Sequence, residues 1–170
     1  MKMGNKPRMI LAALSISAAA FGTLVVSEGY TDIAVIPVKG DRPTIGHGST
    51  FRDDGSPVQI GDTITPTQAI KRSLAHIQKD ETRIKRCVTA PLTQGEYNIM
   101  VGFAYQYGAP TLCASSIVRH ANAGRYAESC AGYLKYKFSG GYDCSTPGNN
   151  RCHGVWKRSL DRYKNCMGEQ

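Results

Sequence analysis

The sequence predicts an α+β domain that is predominantly helical and carries a small β-hairpin region near its N-terminus. Apolar residues recur at helical spacing through most of residues 65–166, and patterns of helix-capping residues mark where helices begin. Between residues 31 and 50, short apolar segments separated by Gly40 and Asp41 favour a hairpin instead. These observations together predict helices packed around one core, with a single small β region.

The first long helix is predicted to begin at Thr65, with Pro66 in its first position and Gln68 completing a capping pattern. Residues 51–62 before it are polar and contain Asp53-Asp54-Gly55, which is typical of a loop or hairpin. Apolar residues then line one face of the helix: Ala69, Ile70, Leu74, Ile77 and Ile84.

A second helix is predicted from a capping box formed by Thr93 and Glu96, and Gly108 is expected to end it. A further helix is expected to begin at Ser115 or Ser116 and to reach about Ala123. Two more are expected over residues 126–136 and 155–166. Residues 139–141 and 146–150 are expected to be loops.

The N-terminus indicates export. Lys2, Lys6 and Arg8 precede an uncharged stretch over residues 9–27, an arrangement that keeps the N-terminus in the cytoplasm. The stretch is about as long as the ~20 residues that cross a bilayer, yet half of residues 9–26 are small or weakly polar. It could be a signal peptide cleaved after Ala18-Ala19-Ala20, a stable span, or a span that inserts and later leaves. Each of these alternatives exports the rest of the chain.

Six cysteines follow this stretch, and their even number in an exported chain indicates disulfides without fixing their pairing. They are Cys87, Cys113, Cys130, Cys144, Cys152 and Cys166. Zinc is the rival interpretation, because Cys144, Cys152 and His153 lie close together. No Cys-x2-Cys pair accompanies them, so no metal and no cofactor is expected.

The formal net charge of +8, from 21 basic and 13 acidic side chains, favours a polyanionic partner. Nucleic acid, anionic membrane and acidic wall polymers all satisfy that description. No run of five or more basic residues is present. We therefore expect a cell-wall partner and no nucleic acid.

The residues that carry chemistry lie within positions 27–50. Glu28 ends the apolar stretch, where desolvation would raise the pKa of its carboxyl and make it a general acid. Asp41 and Thr44 lie in the predicted hairpin, which could fold back over Glu28. A carboxylic acid facing a carboxylate and a hydroxyl suits glycoside hydrolysis, in which one group protonates the leaving oxygen and the other positions water. The same residues also occur as a helix-end charge and ordinary turn residues.

The pattern resembles glycoside hydrolase family 24, the phage lysozymes and endolysins. Glu28-Gly29 followed by Thr44-Ile45-Gly46-His47-Gly48 is similar to that family's active-site segment. A second block is similar to that family's central buried helix; it comprises Pro91-Leu92-Thr93-Gln94, Tyr97, Gly102-Phe103-Ala104-Tyr105 and Gly108. A third block, Gly154-Val155-Trp156-Lys157-Arg158, is similar to a segment near the family's C-terminus. The resemblance implies a lysozyme-like catalytic domain over residues 28–170. It also implies a monomeric muramidase that cleaves the β-1,4 bond between N-acetylmuramic acid and N-acetylglucosamine in peptidoglycan and lyses the host cell for phage release.

The sequence departs from the family at the second carboxylate. The positions where the family's spacing would place its aspartate hold Pro37 and Val38. Asp41 is the nearest candidate on a rebuilt hairpin, and Asp32 is its rival because it would lie one helical turn beyond Glu28 if the helix continued. For His47, which stands between the two glycines, a structural hydrogen bond is expected and no catalytic role.

Residues 1–27 resemble the basic flank and signal-anchor-release segment of some of these endolysins. The resemblance implies an enzyme anchored inactive in the host inner membrane, then released into the periplasm in partnership with a holin or pinholin. The anchor contains no cysteine, which excludes control by disulfide exchange with it. The alternatives are a lytic transglycosylase acting on the same bond, or a non-catalytic cationic protein that binds wall or membrane.

Overall fold

The structure, a computed structural model, describes residues 6–37 and 40–170, so Lys2 and Val38 lie outside the described residues. It is mainly helical and has two small hairpins, which confirms the predicted fold class. Internal contacts divide the chain into two units. One is Ser17–Asp80, and the other combines the described part of Met1–Ile16 with Glu81–Gln170.

The unit formed by Ser17–Asp80 contains α1 (Ala18–Glu28), β1 (Thr31–Val35), β2 (Thr44–Gly46) and the first part of α2 (Pro66–Cys87). β1 and β2 form the predicted antiparallel hairpin, with Thr31 opposite Gly46, Val35 opposite Thr44 and an irregular register between these pairs. The hairpin packs on a small apolar core of Ala34, Ile45, Val58, Ile64 and Ala69.

α2 begins as the sequence predicts. The Gln68 backbone N–H donates to Thr65 Oγ1 at 3.3 Å, and the Thr65 N–H donates to Gln68 Oε1 at 2.9 Å. This reciprocal cap satisfies two backbone donors at the start of a helix that would otherwise have no partner within it.

The second unit contains a buried central helix, α3 (Gln94–Tyr107), which begins with the predicted capping box and ends at Gly108. Its other elements are α4 (Ala109–Cys113), α5 (Ser116–Asn122), α6 (Tyr126–Ala131), a 3₁₀ helix (Gly132–Lys135), β3 (Phe138–Ser139), β4 (Tyr142–Asp143) and α7 (His153–Met167). Ser115 caps α5 by accepting a hydrogen bond from the Val118 N–H. The buried face of α3 holds Tyr97, Met100, Val101, Phe103 and Ala104.

The N-terminal segment is part of this second unit. The backbones of Met9 and Leu92 exchange two hydrogen bonds of 2.8 and 2.9 Å, and Leu14 is 1% exposed. The Arg8 guanidinium donates to both carboxylate oxygens of Glu96, at 2.8 and 3.2 Å. Arg8 also lies over the ring of Tyr126. Residues 8–14 therefore contribute buried apolar and polar contacts to the core around α3.

The apolar stretch over residues 9–26 is not one helix. It forms a 3₁₀ helix (Leu11–Ala13), an extended segment and then α1, which Ser17 caps by accepting a hydrogen bond from the Ala20 N–H. Within residues 6–37 and 40–170, no helix is both long and apolar enough to span a bilayer.

All six cysteines form disulfides, which pair Cys87 with Cys113, Cys130 with Cys166 and Cys144 with Cys152. The expected disulfide framework is thus present, with a pairing that the sequence alone left open.

The structure also differs from the sequence-based prediction in several secondary-structure elements. α4 was not predicted, and the expected loop at residues 139–141 is the turn of the β3–β4 hairpin. The helix expected over residues 126–136 ends at Ala131 and gives way to the 3₁₀ helix. Its break coincides with Gly132, where an added Cβ would lie 2.8 Å from Ile117 Cγ1, so close packing requires a residue of low helix propensity there.

Candidate active site

Glu28 is the last residue of α1, and the chain turns immediately after it. Gly29 adopts a positive φ of 73°, which glycine tolerates without steric cost, and its N–H donates to the Val26 carbonyl. Glu28 is exposed, so the desolvation expected from its apolar neighbours in sequence is absent. That expectation was wrong because the helix end leaves the core: only Leu24 of α1 is buried.

The glutamate carboxylate lies against the loop that follows β2. A Cβ built on Gly48 would be 3.9 Å from Glu28 Oε2. The absence of a side chain at Gly48 therefore leaves space beside the carboxylate on this side, since a glycine permits close approach to its backbone.

Thr44 is the first residue of β2, two positions before Gly46, and it is half-buried. Its hydroxyl donates to the Val35 carbonyl at 3.5 Å, the long end of the hydrogen-bond range. A weakly held hydroxyl on a paired strand is fixed in position yet able to exchange this partner for water.

Asp41 lies in the turn that joins β1 to β2, next to Gly40, and is exposed. The hairpin therefore carries Asp41 and Thr44 together, as predicted. Of the candidate residues, Asp41 is farthest along the hairpin from the Thr31–Gly46 pair that adjoins the end of α1.

Asp32 is placed differently from the geometry that made it a rival. The helix does not continue past Glu28, and Asp32 lies in β1, where its backbone carbonyl accepts from the Ile64 N–H at 2.9 Å. Asp32 therefore does not lie one helical turn beyond Glu28.

His47 lies next to the candidate acid, and its hydrogen-bond acceptor was not identified from the sequence. It is 7% exposed, its Nδ1 is hydrogen-bonded to the Gly29 carbonyl, and its ring lies 5.7 Å from that of Tyr30. The Tyr30 hydroxyl in turn donates to the Ile64 carbonyl at 2.7 Å. The expected structural hydrogen bond of His47 is present, and its acceptor adjoins the candidate acid.

A charged loop lies beside the hairpin within the same unit. Arg52 donates to both oxygens of Asp62 at 2.7 Å, and Arg72 Nε donates to Asp53 at 2.6 Å. The Arg52 guanidinium holds the pKa of Asp62 at about 2, below its ordinary value. These side chains line an open pocket of about 350 Å³ floored by Ile45.

The described residues contain no group of three His, Cys, Asp or Glu side chains placed to hold a metal ion.

Known proteins resemble this chain in sequence and in fold. A sequence model of the phage lysozyme family matches residues 25–160. The endolysin of Salmonella phage P22 is 30% identical over 98 residues, which cover 58% of this chain and 67% of the relative. The endolysin of Bacillus phage B103 is 27% identical over 129 residues, covering 75% of this chain, and the match spans only 48% of that relative's length.

Solved structures share the fold. An endolysin from Escherichia coli O157:H7 phage FAHEc1 superposes with a TM-score of 0.75 at 23% identity, covering 91% of this chain and 94% of the other. A mutant of P22 lysozyme superposes with a TM-score of 0.71 at 25% identity, covering 91% and 99%. The matched family segment, residues 25–160, contains Glu28, Asp41, Thr44 and the whole of α3, and the chain therefore belongs to the phage lysozyme family.

Proposed function

We propose that the chain is an endolysin that hydrolyses the β-1,4 bond between N-acetylmuramic acid and N-acetylglucosamine in peptidoglycan. Glu28 protonates the leaving glycosidic oxygen, and Asp41 together with Thr44 positions the attacking water. Membership in the phage lysozyme family and the endolysin relatives support this activity. The observation that carries the residue assignment is that the Glu28 carboxylate lies near the loop at the end of β2, the strand that begins with Thr44: a Cβ at Gly48 would be 3.9 Å from Glu28 Oε2.

The chemistry requires a proton donor on one side of the bond and a water on the other. Inverting glycosidases keep their two carboxyl groups ~6.5–9.5 Å apart so that a water fits between them. Glu28 ends α1 and Asp41 lies in the turn of the β1–β2 hairpin, and both are exposed, which leaves them open to a glycan strand. The half-buried Thr44 hydroxyl supplies a fixed donor and acceptor for that water.

Mass spectrometry of digested peptidoglycan tests the reaction. We expect products with reducing ends, because water is the nucleophile. Anhydro-muramyl ends would mean that the muramyl 6-hydroxyl attacks instead, and the protein would then be a lytic transglycosylase. If neither reducing ends nor anhydro-muramyl ends form, that result would favour a non-catalytic wall-binding protein.

The second carboxylate is tested by a matched pair of variants. Asp41→Asn should reduce wall hydrolysis nearly as far as loss of the acid, while Asp32→Asn, which alters a strand residue of the same charge, should have little effect. An essential Asp32 beside a dispensable Asp41 would overturn the assignment.

We further propose that the protein is exported as a monomer and is held by residues 1–27 in the host inner membrane, then released intact into the periplasm when a holin or pinholin collapses the membrane potential. The contacts of Arg8 and Leu14 with the core support retention of the N-terminal segment after release. Cell fractionation should find the uncleaved chain first in the membrane and later in the periplasm. A periplasmic protein that begins near Phe21 would mean ordinary signal cleavage.

A further inference from the structure

The loop from Ile45 to Ser49 is closed by two backbone hydrogen bonds, each of 3.0 Å, between these two residues. Inside it, Gly46 and Gly48 have positive φ values of 65° and 80°, and His47 stands between them. Residues other than glycine rarely adopt positive φ, so the two glycines allow the chain to reverse direction around His47. The reversed backbone in turn restricts where the His47 side chain lies. The start of this loop overlaps β2, the strand that also carries Thr44.

His47 connects this loop to the end of α1. Its Nδ1 bonds the Gly29 carbonyl, one residue beyond Glu28. A carbonyl oxygen has no proton to give, so Nδ1 carries the proton and donates it. The ring is buried and lies beside Tyr30, whose hydroxyl is itself bonded to the Ile64 carbonyl. The imidazole is therefore restrained by its hydrogen bond and by the neighbouring tyrosine ring.

The loop approaches the helix end at His47 and at Gly48. His47 is hydrogen-bonded to the backbone of Gly29, and a Cβ added at Gly48 would be 3.9 Å from Glu28 Oε2. The Glu28 side chain is exposed, so packing in the core does not fix its position, and α1 ends at this residue. The His47 hydrogen bond is a fixed link between the residue after the helix end and the loop that continues β2, the strand of Thr44.

We propose that His47 is a positioning residue for the hydrolysis, which sets the separation of the Glu28 carboxyl from the Thr44 hydroxyl by tying the Gly29 carbonyl to the end of β2. This inference rests on the proposed function. In this proposal His47 acts through the backbone of the residue that follows the acid. Its contribution is geometric, and a small displacement of an acid from its reacting oxygen lowers the rate of the chemical step more than it weakens binding.

The variants His47→Leu and His47→Asn test the proposal. Leucine fills the buried position with an apolar side chain and removes the hydrogen-bond donor. The asparagine amide, in contrast, places an N–H close to the position of Nδ1. We expect His47→Leu to lower kcat about ten- to hundredfold while KM changes less than about twofold, and His47→Asn to recover most of kcat. Arg52→Met is the control, because it removes a half-exposed ion pair from the same unit without touching Gly29 or the loop from Ile45 to Ser49.

A merely structural role predicts a different pattern. His47→Leu and Arg52→Met would then both lower thermal stability, and both folded variants would keep the kcat of the wild-type enzyme. That outcome would overturn the proposal. Glu28→Gln distinguishes a failure of the positioning role of His47 from a failure of the proposed function. If it is inactive while His47→Leu retains kcat, the positioning role fails and the proposed function stands; if Glu28→Gln is active, the proposed mechanism itself fails.

The wild-type protein supplies a test that does not depend on the folding of a variant. In ¹⁵N-labelled protein, Nδ1 of the His47 imidazole should carry a proton and exchange that proton slowly with solvent. A proton on Nε2, with Nδ1 bare, would contradict the hydrogen bond on which the proposal rests.

Discussion

The ion pair between Arg8 and Glu96 should make the N-terminal segment essential to the stability of the folded enzyme. The side chains are 22% and 4% exposed, so both charges are largely removed from water. Arg8 also donates to Gln170 Oε1 at 2.8 Å, which joins the two ends of the described chain at the start of α3. Replacing Arg8 with Met keeps the apolar stem and leaves the Glu96 carboxylate without its cation.

Removing one partner of a buried pair costs about 3–5 kcal/mol. Glu96 retains hydrogen bonds from the Thr93 N–H at 2.8 Å and from Gln170 Nε2 at 2.9 Å, so we expect the lower end, about 3 kcal/mol. For a chain of this size, each kcal/mol lowers Tm by ~2–4 °C, which predicts a fall of about 6–12 °C in thermal unfolding of Arg8→Met.

Lys6→Met is the matched control. Lys6 pairs with Glu169 but is 56% exposed, so its loss should cost less than about 1 kcal/mol. The double variant Arg8→Met with Glu96→Gln should recover part of the lost stability, because the glutamine keeps the helix cap and removes the unpaired charge. Equal Tm values for Arg8→Met and Lys6→Met would refute this reasoning and would leave residues 6–14 dispensable to the fold.

Three further predictions follow from the same structure. Gly48→Ala should cost about 1–2 kcal/mol from backbone strain alone, whereas Gly46→Ala should cost about 3 kcal/mol, because its Cβ would also lie 2.9 Å from Ala69 Cβ; equal losses in denaturant unfolding would contradict this difference. The pKa of Asp62, about 2, lies below its unfolded value of 3.8, so its contribution to stability is full above about pH 4 and is lost as pH falls toward 2; Arg52→Met should flatten that part of the Tm–pH curve, and an unchanged curve would exclude Arg52 as the cause. Thiol labelling of the denatured, unreduced enzyme should find no free cysteine, and two or more labelled cysteines would exclude the three-disulfide pairing.

The helix starts could be read from the sequence because their determinants are local. Thr65 with Gln68, and Thr93 with Glu96, satisfy each other's backbone donors within one turn, so the pattern is complete in a few consecutive residues. The α+β class and the small hairpin followed from equally short-range signals, namely apolar periodicity and a Gly-Asp turn.

The parts that the sequence did not predict depend on residues far apart in the chain. Arg8 and Glu96 are separated by 88 positions, and neither has a local pattern that identifies the other. The same holds for Gly132, where contact with Ile117, rather than intrinsic helix preference, coincides with the end of α6.

The candidate site divides in the same way. Glu28 and Thr44 stood out through recognisable motifs, whereas the hydrogen bond of His47 to Gly29 required the fold of the hairpin against the helix end. The rivalry between Asp41 and Asp32 turned on whether α1 continued past Glu28. The structure ends the helix there, and the variants at the two aspartates remain the functional test.

Replacement of Glu28 by Gln tests the central claim most directly. The amide matches the carboxyl in shape but cannot donate the proton that the leaving oxygen needs. Release of reducing ends from purified peptidoglycan should fall to background in Glu28→Gln, while circular dichroism and Tm stay at wild-type values because Glu28 is exposed. Wild-type release of reducing ends by a folded Glu28→Gln protein would contradict the assignment of Glu28 as the catalytic acid.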